Sequence, residues 1–414
     1  MKKYDFSTEQ IHSFNDNVKD SCFGETTSGP VQSSAFAYPL AKDIANVFAQ
    51  RQFGYIYSRI ANPTVHALEQ RINALEKGLG TVAVSSGMAA VSCALLTILK
   101  NGDEFVCGNS LFGGCFSLFN DLFPRFGINP VFVEASDVDA YEKAVTAKTK
   151  AIFFEVIGNP KIDVPSVRNI SKIAKKYKIP LVLDNTVATP WLFTAKDHGA
   201  DIIVHSTSKY INGHGNAIGG SITDCGTFDF HGQKFEEFEP FLQKFGAVAF
   251  LAKLRKQVLI NMGPCLSPQN AFLQLTGLET LSVRMKKHSE NALKVAQFLE
   301  NHDKVLKVHY AGLSSSPWHL TAVEQFGKYF GGLLSFDVGT RERAFSLIDK
   351  RDFISNLANI GDAKTLIIHP DSTIYADHSE EQKKDFGVTE GLVRLSVGLE
   401  SSDDIIRALD SALQ

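Results

Sequence analysis

Apolar and polar residues alternate along this chain on the scale of whole elements. From Leu75 onward, short apolar runs recur at Thr81–Val84, Glu104–Cys107, Pro130–Val133, Ala151–Phe154, Leu181–Leu183 and Asp201–Val204. Segments of helical length separate them, Val167–Tyr177 among them. Runs apolar at consecutive positions are what a strand covered on both faces requires. Strands alternating with helices predict βαβ units, hence a mostly parallel sheet with helices on both sides. Before Leu75 the rhythm is absent. Gly, Ser and Pro are scattered through residues 21–34, which predicts an extended arm with one helix near Lys42–Gln52. Beyond Met262 the pattern changes again. Ser267-Pro268 supplies an N-cap and a first-turn proline for a long helix running to about Asn301, with a break near Gly277. Apolar runs at Val305–Tyr310, Leu333–Val338, Leu366–Ile368 and Leu392–Val397 follow, and a last helix begins after Ser401-Ser402. The expected division is an arm over 1–60, a large α/β domain over 61–262 and a smaller α+β domain over 263–414.

One uncharged stretch, Gly78–Leu99, is long enough to cross a bilayer. Ser85, Ser86, Gly87 and Ser92 interrupt it, and its halves differ: TVAV reads as a buried strand, MAAVSCALLTIL as a buried helix. A strand and a helix are therefore expected there, and no membrane span. The 414 residues suit two or three domains, and 44% apolar with 21% charged residues is ordinary for a globular protein. Lys+Arg 42 against Asp+Glu 45 gives a net charge of −3, too small a field to draw the chain to nucleic acid or an anionic membrane. Six cysteines without a CxxC pair or zinc-ligand spacing suggest reduced buried thiols and no metal. MKKYDFSTEQ has two lysines and no apolar run after them, so a secretory signal is not expected and a cytoplasmic location is.

Parallel α/β sheets bind ligands at the carboxyl ends of their strands. The residues following each apolar run are therefore the candidates: Ser85-Ser86-Gly87-Met88, Glu155 with Asn159-Pro160, Asp184-Asn185-Thr186, and His205-Ser206-Thr207-Ser208-Lys209. Each has an unremarkable alternative. Ser86–Met88 reads as an anion site at a helix start or as a plain helix cap. Asp184, at the end of an apolar strand, reads as a half-buried carboxylate with a functional partner or as a salt bridge. Lys209 reads as a desolvated amine able to attack carbonyls or as a snorkelling surface lysine. Together the parts suit pyridoxal 5'-phosphate (PLP), which needs a Schiff-base lysine (Lys209), a carboxylate for its ring nitrogen (Asp184) and a phosphate cradle (Ser86, Gly87, Met88, Ser206, Ser208). No GxxxxGK[ST] or HExxH motif competes.

The sequence also resembles the Cys/Met-metabolism family of PLP enzymes, the cystathionine γ-synthase-like group, from about Gly24 to the last helix. The resemblance is carried by Tyr57–Thr64 (YSRIANPT), Ser85–Ala90 (SSGMAA), Gly158-Asn159-Pro160, Asp184-Asn185-Thr186, Ser206–Tyr210 (STSKY), His369-Pro370 and Arg394–Glu400 (RLSVGLE). It implies an aspartate-aminotransferase-like fold (fold type I) and a homotetramer built from dimers. It further implies that Tyr57 and Arg59 reach the cofactor phosphate of a neighbouring subunit, that Asn159 touches the ring hydroxyl, and that Arg394 holds the substrate α-carboxylate. Independently, Arg394 interrupts an apolar run, and a buried guanidinium needs an anion. Segments FGYIYSRIANPT, EVIGNPKIDVP and Asn359–Lys364 resemble the O-acetylhomoserine sulfhydrylase branch; Asn359 stands where γ-lyases and cystathionine γ-synthases tend to carry serine, which makes it a candidate substrate contact. The implied reaction is replacement of acetate by sulfide or another thiol donor, with acetyl and succinyl activation both open. A γ-lyase is the alternative, and a low-turnover PLP-binding scaffold the remote one. Two departures stand out. Phe112 occupies the place of a family tyrosine that stacks on the cofactor; a phenyl ring can stack but cannot donate a proton, which favours a good leaving group such as acetate. Tyr375 stands where relatives often show histidine.

Overall fold

The structure is a computed structural model describing residues 4–13, 26–27 and 29–414. Cys22 and Gly24 lie outside the described residues. Twelve strands are found among those residues. The first sheet contains β1 (Gly80–Val84), β2 (Glu104–Gly108), β3 (Asn129–Val133), β4 (Thr149–Glu155), β5 (Leu181–Asp184), β6 (Ile202–His205) and β7 (Gly220–Asp224), in the order β1-β7-β6-β5-β4-β2-β3. All neighbours are parallel except β7, which runs antiparallel to both β1 and β6. The six apolar runs are thus six of the seven strands. β7 escapes a hydrophobicity reading because its sequence, GSITD, alternates small and polar residues that are nevertheless buried. Thr81 and Thr223 satisfy each other there, hydroxyl to hydroxyl at 2.8 Å.

Both faces of this sheet are covered. Val182 and Val204 pack on one side with Leu95 of the helix Gly87–Ile98, and Leu183 and Ile203 on the other with Ile170 of the helix Val167–Tyr177. The Gly78–Leu99 stretch is β1 followed by that first helix, and no helix among the described residues is long and apolar enough to cross a membrane. The arm helix is Ala41–Phe48.

The second sheet has the order β10-β11-β12-β9-β8, with β8 (Lys307–His309), β9 (Leu333–Asp337), β10 (Ser355–Asn356), β11 (Leu366–Ile368) and β12 (Leu392–Ser396). It is antiparallel apart from β10 with β11. The long helical stretch divides into Pro268–Leu278 and Leu281–Glu300, just past Gly277. Gly277 is needed for close approach: a Cβ there would stand 2.1 Å from the Asn212 carbonyl oxygen. Arg284 completes the junction by donating to the carbonyls of Tyr210 (2.7 Å), Ile211 (3.2 Å) and Gly277 (2.7 Å). The turn that follows Lys209 is thereby fastened to the second half of the chain.

Candidate functional site

A cavity of about 780 Å³ opens at the carboxyl ends of β1, β4, β5 and β6 and is closed on the far side by residues next to and within the second sheet. Its walls include Ser86, Gly87, Met88, Phe112, Asn159, Asp184, Ser206, Ser208, Lys209, Asn359 and Arg394. Eleven of the thirteen candidates read from sequence therefore meet in one place. Tyr57 and Arg59 do not line it. Tyr57 is exposed, and the Arg59 guanidinium lies over its ring at 5.6 Å while donating to the Ile260 carbonyl at 2.6 Å.

Each wall follows from local chain geometry. Ser86 caps the helix Gly87–Ile98, its hydroxyl accepting from the Ala89 N–H at 3.1 Å. The N–H groups of Gly87 and Met88 then have no intrahelical acceptor, and both residues line the cavity at the positive end of the helix dipole. Gly87 is required here, since a Cβ would stand 2.5 Å from Ser206 Cβ. Ser206 is drawn in by its own N–H, which donates to Thr186 Oγ1 at 2.8 Å. The Ser208 hydroxyl is already engaged with Gly219, donating to its carbonyl (3.1 Å) and accepting from its N–H (2.9 Å).

Asp184 ends β5 and is held by Thr186, whose N–H donates to it at 2.9 Å. Burial pushes its carboxyl above the ordinary range, against the pull of Thr186 and His205. In register with it on β4 stands Glu155, a wall residue that the strand-end reading touched but gave no role. Glu155 accepts from the Phe112 N–H at 2.6 Å, and burial first, then Asp184, hold its carboxyl well above the usual value. Two neighbouring buried carboxyls with no ion-pair partner among the described residues resist ionising together. A cationic ring nitrogen placed against Asp184 would restore the balance.

The Lys209 amine donates to Asn359 Oδ1 at 2.6 Å. Burial, helped by Arg394, lowers it from 10.5 to about 8. Arg394, on β12, is buried and donates to Asn159 Oδ1 at 3.1 Å and to the Asn359 carbonyl at 3.3 Å. Neither acceptor carries charge, so the guanidinium keeps capacity for an anion in the cavity. Thr186, which the strand-end pattern named without a role, and Cys115, which it did not mark, also line the wall. The signal for Thr186 was its place two residues past the carboxylate; Cys115 sits on a short helix with no such marker.

The residues fit PLP on three counts: an amine poised to react with an aldehyde, a buried carboxylate with no salt bridge among the described residues, and a helix start that only glycine can bring against Ser206. Comparison with known proteins agrees. The family model described as Cys/Met metabolism PLP-dependent enzyme matches residues 7–414. An O-acetyl-L-homoserine sulfhydrylase of Leptospira meyeri is 43% identical over 411 residues, covering 94% of this chain and 93% of that protein. Another, from Corynebacterium glutamicum, is 39% identical and covers 99% of both. A solved structure from Campylobacter jejuni that carries N'-pyridoxyl-lysine-5'-monophosphate superposes with a TM-score of 0.95 at 37% identity, over 99% of this chain and 100% of that one.

Proposed function

The chain belongs to the Cys/Met-metabolism family of PLP-dependent enzymes, and from that premise we propose that it makes homocysteine and acetate from O-acetylhomoserine and sulfide, in the biosynthesis of methionine. The observation that carries this reading is the meeting of Lys209, Asp184 and Arg394 on one cavity. In the proposed arrangement Lys209 holds the aldehyde, Asp184 the ring nitrogen and Asn159 the ring hydroxyl. The Gly87 and Met88 N–H groups, with Ser86 and Ser206, hold the phosphate; Ser208 joins them by turning from Gly219. When bound, PLP supplies a ring that accepts the electron pair left at the substrate α-carbon.

The remaining work falls to this chain. Arg394 grips the α-carboxylate, and Asn359, which touches both Arg394 and Lys209, keeps the two cations in fixed relation. Lys209, with a pKa of about 8, is a base matched to neutral pH and moves the protons at the α and β carbons. Phe112 covers the ring face without offering a proton. The departing group must then leave unaided, which acetate does and a thiolate of higher pKa does less well; sulfide fills the vacated γ-carbon. Tyr57 and Arg59, outside this chain's own cavity, would complete that of a second copy in a homotetramer built as a dimer of dimers, in the cytoplasm.

The test is direct. Purified protein loaded with PLP and given O-acetylhomoserine and sulfide should form homocysteine and acetate in equal amounts. Formation of a 2-oxo acid and ammonia without need of sulfide would replace this reading with a γ-lyase.

A further inference from the structure

Tyr375 is wholly buried and does not line the cavity, yet its hydroxyl reaches two of the cavity's loops at once. It lies 2.8 Å from the Asn159 carbonyl oxygen and 3.1 Å from the Leu111 carbonyl oxygen, a single proton shared between two acceptors. One loop ends in Phe112. The other carries the Asn159 amide, whose Oδ1 receives the Arg394 guanidinium. The Tyr375 ring is itself fixed, packed against His378 at 5.3 Å and Phe386 at 5.6 Å between centroids. Its segment closes tightly on the Phe112 loop: a Cβ on Gly113 would stand 2.9 Å from the Ile374 carbonyl oxygen.

Phe112 needs such support. The residue is 40% exposed and its side chain carries no polar atom, so no side-chain hydrogen bond fixes its position. The loop is held instead through its backbone, by Glu155 at the Phe112 N–H and by Tyr375 at the preceding carbonyl. Removing the phenol oxygen would leave two buried carbonyls without this donor and cut the tie between the Phe112 loop and the Asn159 turn. We propose that Tyr375 is a positioning residue: its hydroxyl ties the Phe112 loop to the Asn159 turn and so sets the ring against the cofactor and the Asn159–Arg394 pair against the substrate. Resting on the functional reading above, this goes beyond it by giving a role to a residue outside the cavity, and it accounts physically for tyrosine at this position.

The experiment is a double-mutant cycle of Tyr375→Phe with Phe112→Leu, read by cofactor dissociation constant and by the circular dichroism of the visible cofactor band. Tyr375→Phe keeps the ring cluster and should stay folded. Cofactor affinity should fall about tenfold and the visible dichroism should weaken. In the Phe112→Leu background the same change should cost clearly less, about threefold, because the ring it positions is gone and only the Asn159 turn is left to loosen. Phe386→Leu, which loosens the ring cluster but spares the hydroxyl, should lower the melting temperature and leave the cofactor band unchanged. The proposal is overturned if Tyr375→Phe binds cofactor like the wild type, if the two effects multiply independently, or if Phe386→Leu reproduces the spectral change. Wild-type protein that binds PLP while Tyr375→Phe is silent sinks this inference alone; wild-type protein that binds none sinks the functional reading with it.

Discussion

Asn359→Asp tests whether the Lys209 amine owes its reactivity to a site without a nearby anion. In the wild type the amine faces a neutral amide oxygen at 2.6 Å, and burial with Arg394 brings it to about 8. At about pH 7.5 roughly a quarter of it is then neutral and nucleophilic, against about one part in a thousand for an amine at 10.5. A carboxylate in place of the amide sets an opposite charge beside it. At an effective dielectric near 20 and a separation of about 4 Å the attraction is about 4 kcal/mol. That moves the amine from about 8 to about 11 and cuts its neutral fraction by roughly 700-fold. The assay is the rate at which apo-protein acquires the visible cofactor band as pH is varied. Wild type should speed up with rising pH and level off above about 8; the aspartate variant should still be accelerating at the highest pH tolerated. Asn359→Ala, which removes the acceptor but adds no charge, should keep the wild-type profile. An aspartate variant whose profile matches the wild type would refute the electrostatic reasoning.

Phe112→Tyr should supply the missing proton donor, a contribution of about 10²-fold or more in general acid catalysis. Elimination from thioether substrates such as methionine or cystathionine should rise at least about tenfold, while replacement on O-acetylhomoserine changes less than about threefold; no gain in thioether elimination would show that Phe112 does not limit the leaving group. His288 gives a pH signature of the fold. Its Nδ1 lies 2.7 Å from the Val397 carbonyl oxygen, and burial lowers its pKa from 6.5 to about 4. The unfolded chain therefore takes up a proton at higher pH than the folded one, so this residue's contribution is present above 6.5 and is lost as pH falls toward 4, by about 3 kcal/mol at most. Denaturant melts of His288→Gln should lack that part of the acid sensitivity; an unchanged slope would exclude His288 as its source.

What could be read from the sequence follows from how each signal arises. Six strands of the first sheet are apolar on both faces, so hydrophobicity alone marks them. β7 is not, because Ser221 and Thr223 are buried by hydroxyl pairing and small size. Asp184 and Arg394 were visible because one ends and the other interrupts an apolar run, and Lys209 because it follows Ser206-Thr207-Ser208 just past a strand end and precedes a glycine-rich stretch. The meeting of Asp184 with Lys209 followed from the strand-end rule, whereas Arg394 joined them only through the resemblance, since periodicity does not show that β12 lies beside the strand ends of the first sheet. Glu155 was passed over as one polar strand end among several; only its register with Asp184 and its bond to the Phe112 N–H give it meaning. Tyr375 could not be explained from sequence at all, since its two acceptors are backbone atoms 216 and 264 residues away.

The most direct measurement is borohydride reduction of the PLP-loaded protein followed by digestion and peptide mass mapping. A reduced phosphopyridoxyl group on the peptide containing Lys209, absent from Lys209→Ala, is the predicted result. A label on another lysine, or none on a protein that retains its yellow colour, would contradict the account.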